Sequence, residues 1–201
     1  MLLALKPAQW RRALRLVVAP AGSDIGTDPI ARPVGDSLVG VLCVLNGNDA
    51  LVVPEHVAAA WRMRPWALWN TALVNMHADQ LNVQTFGTDD STLFSVNGTG
   101  MPGAGHVFRL DKALRQRLPL GALVSLPIAN AFCAVPIRSA ATLGMAGFLS
   151  QLTGELMRGN PAPLSHEVFW AHDGEFTNLR VRVDGDDTHL SIPERLRDLL
   201  T

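Results

Sequence analysis

Residues 118–137, LPLGALVSLPIANAFCAVPI, form an uncharged run of 20 residues. As a continuous apolar helix it would nominally cross a bilayer. Pro119, Pro127 and Pro136, with Gly121 and Asn130 between them, cut it into strand-sized pieces instead. Two buried strands, 123–126 and 132–137, joined at Ile128-Ala129-Asn130, account for the pattern better. Arg138 ends the second strand and is the lone charge between Leu118 and Gly154. An arginine there must pair or reach solvent, because burying its charge alone is prohibitive. Its structural reading is a tie to a loop carbonyl or a carboxylate. Its functional reading is capture of an anionic ligand, which the guanidinium fork suits.

Working outward, the chain alternates hairpins with short helices. Residues 38–45 read as a buried strand, Asn46-Gly47-Asn48-Asp49 as a turn, and 50–53 as the return strand. Pro54-Glu55-His56 opens a short helix, and a second runs from Pro65 to about Ala78. In the latter Trp66, Trp69, Leu73 and Met76 recur at helical spacing as one apolar face. Residues 83–86 and 92–96 read as strands, 111–117 and 140–157 as helices. Residues 167–171 and 175–183 form a hairpin turning at Asp173-Gly174. At the start, residues 1–20 read as an amphipathic helix with Trp10, Leu14 and Val17 opposite Arg11, Arg12 and Arg15. Arg15 interrupts the only apolar stretch there, which is too short for a secretory signal.

The expectation is an α+β single domain over 1–201. Its core is 34–183, a mainly antiparallel sheet of hairpins packed against several short helices, and a helix at 193–201 follows the core. A mean hydropathy of +0.17 with net charge −1 is the reverse of a disordered composition. The balance of 17 basic and 18 acidic residues supplies no broad field for nucleic acid. Cys43 and Cys133 each sit in apolar runs and read as small core residues, which fits a reducing cytoplasm.

Three short motifs carry a resemblance. Ala72-Leu73-Val74-Asn75 lies on a helix behind a strand pair, Val135-Pro136-Ile137-Arg138 ends a strand, and Pro163-Leu164-Ser165 leads into Val168-Phe169-Trp170 and Asp173-Gly174. Together, from about Leu38 to Leu179, they resemble the YtpQ-like family of uncharacterised bacterial proteins. The resemblance implies an α+β fold in a bacterial cytoplasm, and the family offers no activity to carry over. Ser139 stands where that pattern has an Asp, which puts any Arg-Asp pair at that point in doubt.

Candidate chemistry is sparse. Gly98-x-Gly100-x-x-Gly103 follows an apolar strand, but Pro102 lies in the turn and no acid occurs between Asp111 and Glu155 to hold a ribose. His166 and His172, with Glu167 and Asp173, are the one local cluster of metal-ligand types, spread too far along a strand to share an ion. Ser165-His166 lacks a nucleophile elbow. Asp89-Asp90 and Asp184-Gly185-Asp186-Asp187 read as solvated turns. No cofactor and no metal are expected. Trp61, Trp66, Trp69 and Arg138 are the candidate binding residues, since aromatic and arginine side chains anchor interfaces. Gly144, Ala146 and Gly147 offer a close-packed helix or dimer seam.

The leading expectation is a non-enzymatic cytoplasmic protein-binding module, of adaptor or immunity type, with a protein partner or a second copy as ligand. The alternative is a small hydrolase or anionic-ligand-binding enzyme whose site joins distant residues such as Arg138, His106 and His172. Membrane contact through 118–154 is a lesser third.

Overall fold

The computed structural model describes residues 2–47, 49–184 and 187–201. In chain order, helix α1 (Pro7–Ala13) runs into β1 (Leu14–Pro20), followed by β2 (Ala31–Val34), β3 (Leu38–Asn46) and β4 (Asp49–Val52). Helices α2 (Glu55–Ala60) and α3 (Pro65–Asn75) precede the hairpin β5 (Leu81–Phe86) and β6 (Leu93–Gly98). A 3-10 segment (Ala104–Arg109) continues into α4 (Leu110–Ala113), and β7 (Ala122–Ile128) and β8 (Ala131–Pro136) follow. A second 3-10 segment (Ala140–Gly144) leads into α5 (Met145–Met157). Then come β9 (Val168–His172), β10 (Glu175–Asp184), β11 (Asp187–Ser191) and α6 (Glu194–Leu199).

The Pro-divided run folds as a hairpin at the centre of a seven-stranded antiparallel sheet, in the order β11-β10-β9-β7-β8-β6-β5. Central strands must be apolar on both faces, and strand parity shows how this sequence meets that demand. On β7 and β8, Val124, Leu126, Phe132 and Ala134 join one buried cluster. Leu123, Cys133 and Val135, of opposite parity, join another beneath α5. The uncharged run is therefore sheet core, and among the described residues no helix is long and apolar enough to cross a membrane.

A second, four-stranded antiparallel sheet is built on β3. β1 pairs along one edge, while β2 and β4 lie end to end along the other. The expected α+β fold of antiparallel hairpins and short helices is thus the one observed, its strands divided between two sheets. They share a core, since Val18, Val34 and Leu38 of the small sheet cluster with Val124 and Phe169 of the large one. Farther along the same face of the small sheet the helices take over, with Trp10, Leu68, Trp69, Ala72 and Met76 packed against Leu16 and Leu42.

Several expectations change. Residues 14–20 are strand rather than the end of a helix over 1–20. Leu14, Leu16 and Val18 are buried at period two, and β3 supplies the backbone partners that an isolated helix does without. The helix expected at 111–117 is only α4, which ends at Ala113, and the 3-10 segment before it was not expected. β11 was not expected; it extends the β9–β10 hairpin into a meander. The turn at Asp173-Gly174 forms as read, with both residues at positive φ, 51° and 78°. In the turn at Asn46–Asp49, Asn48 lies outside the described residues, as do Gly185 and Asp186 of the acidic turn.

The small-residue face of α5 is used inside the fold. Ala146 is fully buried, and a Cβ at Gly147 would lie 2.3 Å from Thr188 Oγ1 of β11. Gly154 differs, because a Cβ there would meet nothing within 4 Å. Gly154→Ala is therefore expected to stabilise the protein by about 0.5–1 kcal/mol through reduced freedom of the unfolded chain. A higher urea midpoint at unchanged m-value would check it.

Candidate functional site

Three segments far apart in sequence meet at one buried polar cluster. β1 puts Arg15 on the face opposite Leu14 and Leu16, and Asp79 follows the turn that ends α3. Gly105 packs so closely on β1 that a Cβ would lie 1.9 Å from the Leu16 carbonyl oxygen, and this contact brings His106 in beside it. The Asp79 carboxylate, 3% exposed, accepts from Arg15 Nε at 3.1 Å on both oxygens and from a terminal Arg15 nitrogen at 3.0 Å. His106 Nε2, in a side chain 1% exposed, donates to the same carboxylate at 3.2 Å. Arg15 also donates to the carbonyls of Arg12 and Leu14 at 2.8 Å, satisfying groups left open at the end of α1. Burial acts to raise the Asp79 pKa, but the hydrogen bonds from His106 and Arg15 and the two positive fields outweigh it. The carboxyl is held below the usual carboxylate value.

A cleft of about 250 Å³ opens beside this cluster, lined by Asp79, by Leu81 and Val83 of β5, and by a basic row. The row is His106, Arg109, Lys112 and Arg115, spaced by three. His106 and Arg109 lie three residues apart in the 3-10 segment, and both line the cleft. The acids nearby are already engaged, Asp79 by Arg15 and His106, and Asp111 by Lys112 at 3.2 Å. His106 Nδ1 and Arg109 Nε are buried without a hydrogen-bond partner. Burial lowers the Arg109 pKa, and the fields of Asp79 and Asp111 only partly offset it. The cleft lining carries no hydroxyl or thiol. Chemically it can hold and orient a negatively charged group.

The expected site residues are dispersed. Arg138 is exposed beyond the end of β8, and its backbone N–H donates to Thr142 Oγ1 at 3.2 Å. Ser139 and Thr142 donate to Asp90 at 3.1 Å each, so the carboxylate near Arg138 comes from the β5–β6 connection. Trp61 stacks on Trp10 with ring centroids 4.1 Å apart. Trp69 is buried, edge-on to Phe108 and beneath the guanidinium of Arg32, whereas Trp66 is 58% exposed. The helix face that packs inward is Leu68, Trp69, Ala72 and Met76. Arg138, His106 and His172 do not converge, because His106 lines the basic cleft and His172 a neighbouring one of about 270 Å³ that shares only Arg109 with it. His172 stacks on Trp170 and lies 3.2 Å from the Pro119 carbonyl oxygen.

The remaining motifs resolve into structure. Gly98 and Gly103 face each other backbone to backbone, and a Cβ at Gly103 would lie 2.2 Å from the Asn130 carbonyl oxygen. The glycine pattern therefore serves close packing between β6 and the β7–β8 turn. The Ser165 hydroxyl accepts from the Glu167 N–H at 3.1 Å and lies 3.2 Å from Ser37 Oγ, as a turn residue does. His166 lines a broader, open groove beside α5, whose charged pair Glu155 and Arg158 is self-satisfied at 2.8 Å. Burial pushes the Cys43 thiol up to about 12 and the Cys133 thiol to about 11, as expected of core residues. Among the described residues no three His, Cys, Asp or Glu side chains come together as metal ligands.

The basic row escaped the sequence reading although its spacing of three is visible in His106-x-x-Arg109-x-x-Lys112-x-x-Arg115. Such a row gains meaning only once the segment is known to begin as a 3-10 helix. Comparison with protein-family models, curated proteins and solved structures returned no match.

Proposed function

We propose that this protein is a non-enzymatic protein-binding module of the cytoplasm, an adaptor that receives an extended partner segment along the outer edge of β5. The observation that carries this reading is the edge strand itself. Leu81-Asn82-Val83-Gln84-Thr85-Phe86 contains no charge, proline or glycine, and five of its six residues are exposed. β5 pairs with β6 on one side, and among the described residues nothing pairs with its other side. Edge strands are ordinarily blunted by lysine, proline, bulges or cover, because their free N–H and C=O groups template further pairing. An edge left open is the form used by modules that bind through strand addition. The buried thiols fit a reducing compartment.

The test is capture of the tagged protein from its own host beside the variant Gln84→Lys/Phe86→Lys, which charges the exposed edge. The expected result is a stoichiometric partner on the wild type, protection of the β5 amides from hydrogen exchange in that complex, and capture at least about tenfold weaker with the variant at an unchanged melting temperature. A partner retained by the variant, protection elsewhere, or no partner at native abundance overturns the reading.

A further inference from the structure

We infer that the cleft formed by His106, Arg109, Lys112 and Arg115 is a binding site for a small oxyanion, a carboxylate or phosphate group. This inference does not rest on strand addition at β5. The charge count is the first support. Arg109, Lys112 and Arg115 stand against Asp79 and Asp111, and both acids are already paired, one with Arg15 and His106 and the other with Lys112. Arg109 is half-buried and has no ion pair among the described residues.

The second support is independent of the charges. His106, 1% exposed, leaves Nδ1 buried without a partner, and Arg109 does the same with Nε. Buried polar nitrogens left open in this way cost stability and are rare in native proteins. The two lie three residues apart in the 3-10 segment and line one cleft, Arg109 at its border with the neighbouring one. The Asp79 carboxylate holds the His106 ring by its Nε2–H, so the imidazole offers its other nitrogen to a ligand. In its imidazolium form the ring donates from Nδ1 to an oxyanion alongside the guanidinium fork. At about 250 Å³ the cleft suits a phosphate or a short dicarboxylate better than a nucleotide.

The experiment titrates inorganic phosphate, and in a second arm succinate, into the protein at about 150 mM sodium chloride, where loosely held surface charge is screened. Side-chain ¹⁵N resonances of His106 and Arg109 report the site. Saturable shifts at both residues are expected, with Arg109→Gln binding at least about tenfold more weakly. Arg115 is exposed, so Arg115→Gln leaves the fold intact and is expected to weaken binding about threefold, while Arg64→Gln, an equal change of charge elsewhere, leaves it unchanged. The arm that saturates at lower concentration distinguishes phosphate from carboxylate. Linear, unsaturated shifts in both arms, or equal weakening by Arg64→Gln and Arg115→Gln, overturns the inference.

Discussion

Asp79→Asn is expected to destabilise the protein by about 3 kcal/mol at neutral pH, because removing one member of a buried ion pair leaves the others unpaired. Asparagine keeps the shape but not the charge that faces Arg15 and His106. Arg15 retains some access to water at 17% exposure, whereas His106 at 1% has none, so relief is partial. The cluster also joins β1, the end of α3 and the segment after the Gly98–Gly103 loop, so its loss loosens three elements together. The pH dependence has a definite sign. The folded carboxyl titrates below the unfolded one, which lies near about 3.9. The stabilisation is therefore complete above that value and is lost as pH falls through the folded pKa. Urea unfolding of wild type and variant between pH 7 and pH 2 checks this. Their midpoints should differ most at pH 7 and converge in acid. A constant gap, or none at neutral pH, would mean that the pair contributes nothing specific.

Gly105→Ala is the other change with a large expected effect, a loss of about 3 kcal/mol or more. The added methyl would sit 1.9 Å from the Leu16 carbonyl oxygen and 2.8 Å from its carbon. Both obstacles are backbone, so no rotamer change relieves them. β1 cannot retreat without breaking its pairing to β3, where Leu16 stands opposite Leu42. The displaced segment also carries His106 and Arg109. The variant should therefore melt at a distinctly lower temperature, and any protein that still folds should lose phosphate affinity as well. Gly154→Ala provides the contrast, since the same methyl meets open space there and should stabilise. A mild effect at Gly105 would show that the 3-10 segment is not locked against the sheet.

Much of the fold was legible because central strands and tight turns write themselves in local chemistry. Pro119 and Pro136 bracketed the β7–β8 hairpin, while Pro127 sits inside β7 where its register against β8 shifts, and Asp173-Gly174 marked the β9–β10 turn through residues that tolerate positive φ. Residues 14–20 misled because Trp10, Leu14 and Val17 satisfy a helical period while Leu14, Leu16 and Val18 satisfy a strand period. Pairing with β3 decided between them. Trp66 and Trp69 looked equivalent on a helical wheel. Only the direction of the small sheet buried one beneath Arg32 and left the other in solvent.

The sequence by itself determined the fold class and most of the hairpins. It held the basic row at residues 106, 109, 112 and 115 in plain order, because residues this close in sequence are brought to one cleft by a single short segment. The tertiary structure decided the rest of the site. Arg15 and Asp79 are 64 residues apart, and nothing local to either names the other. The arrival of His106 beside them depends on a glycine, Gly105, thin enough to rest on the backbone of β1, and such a contact is a property of the packed whole.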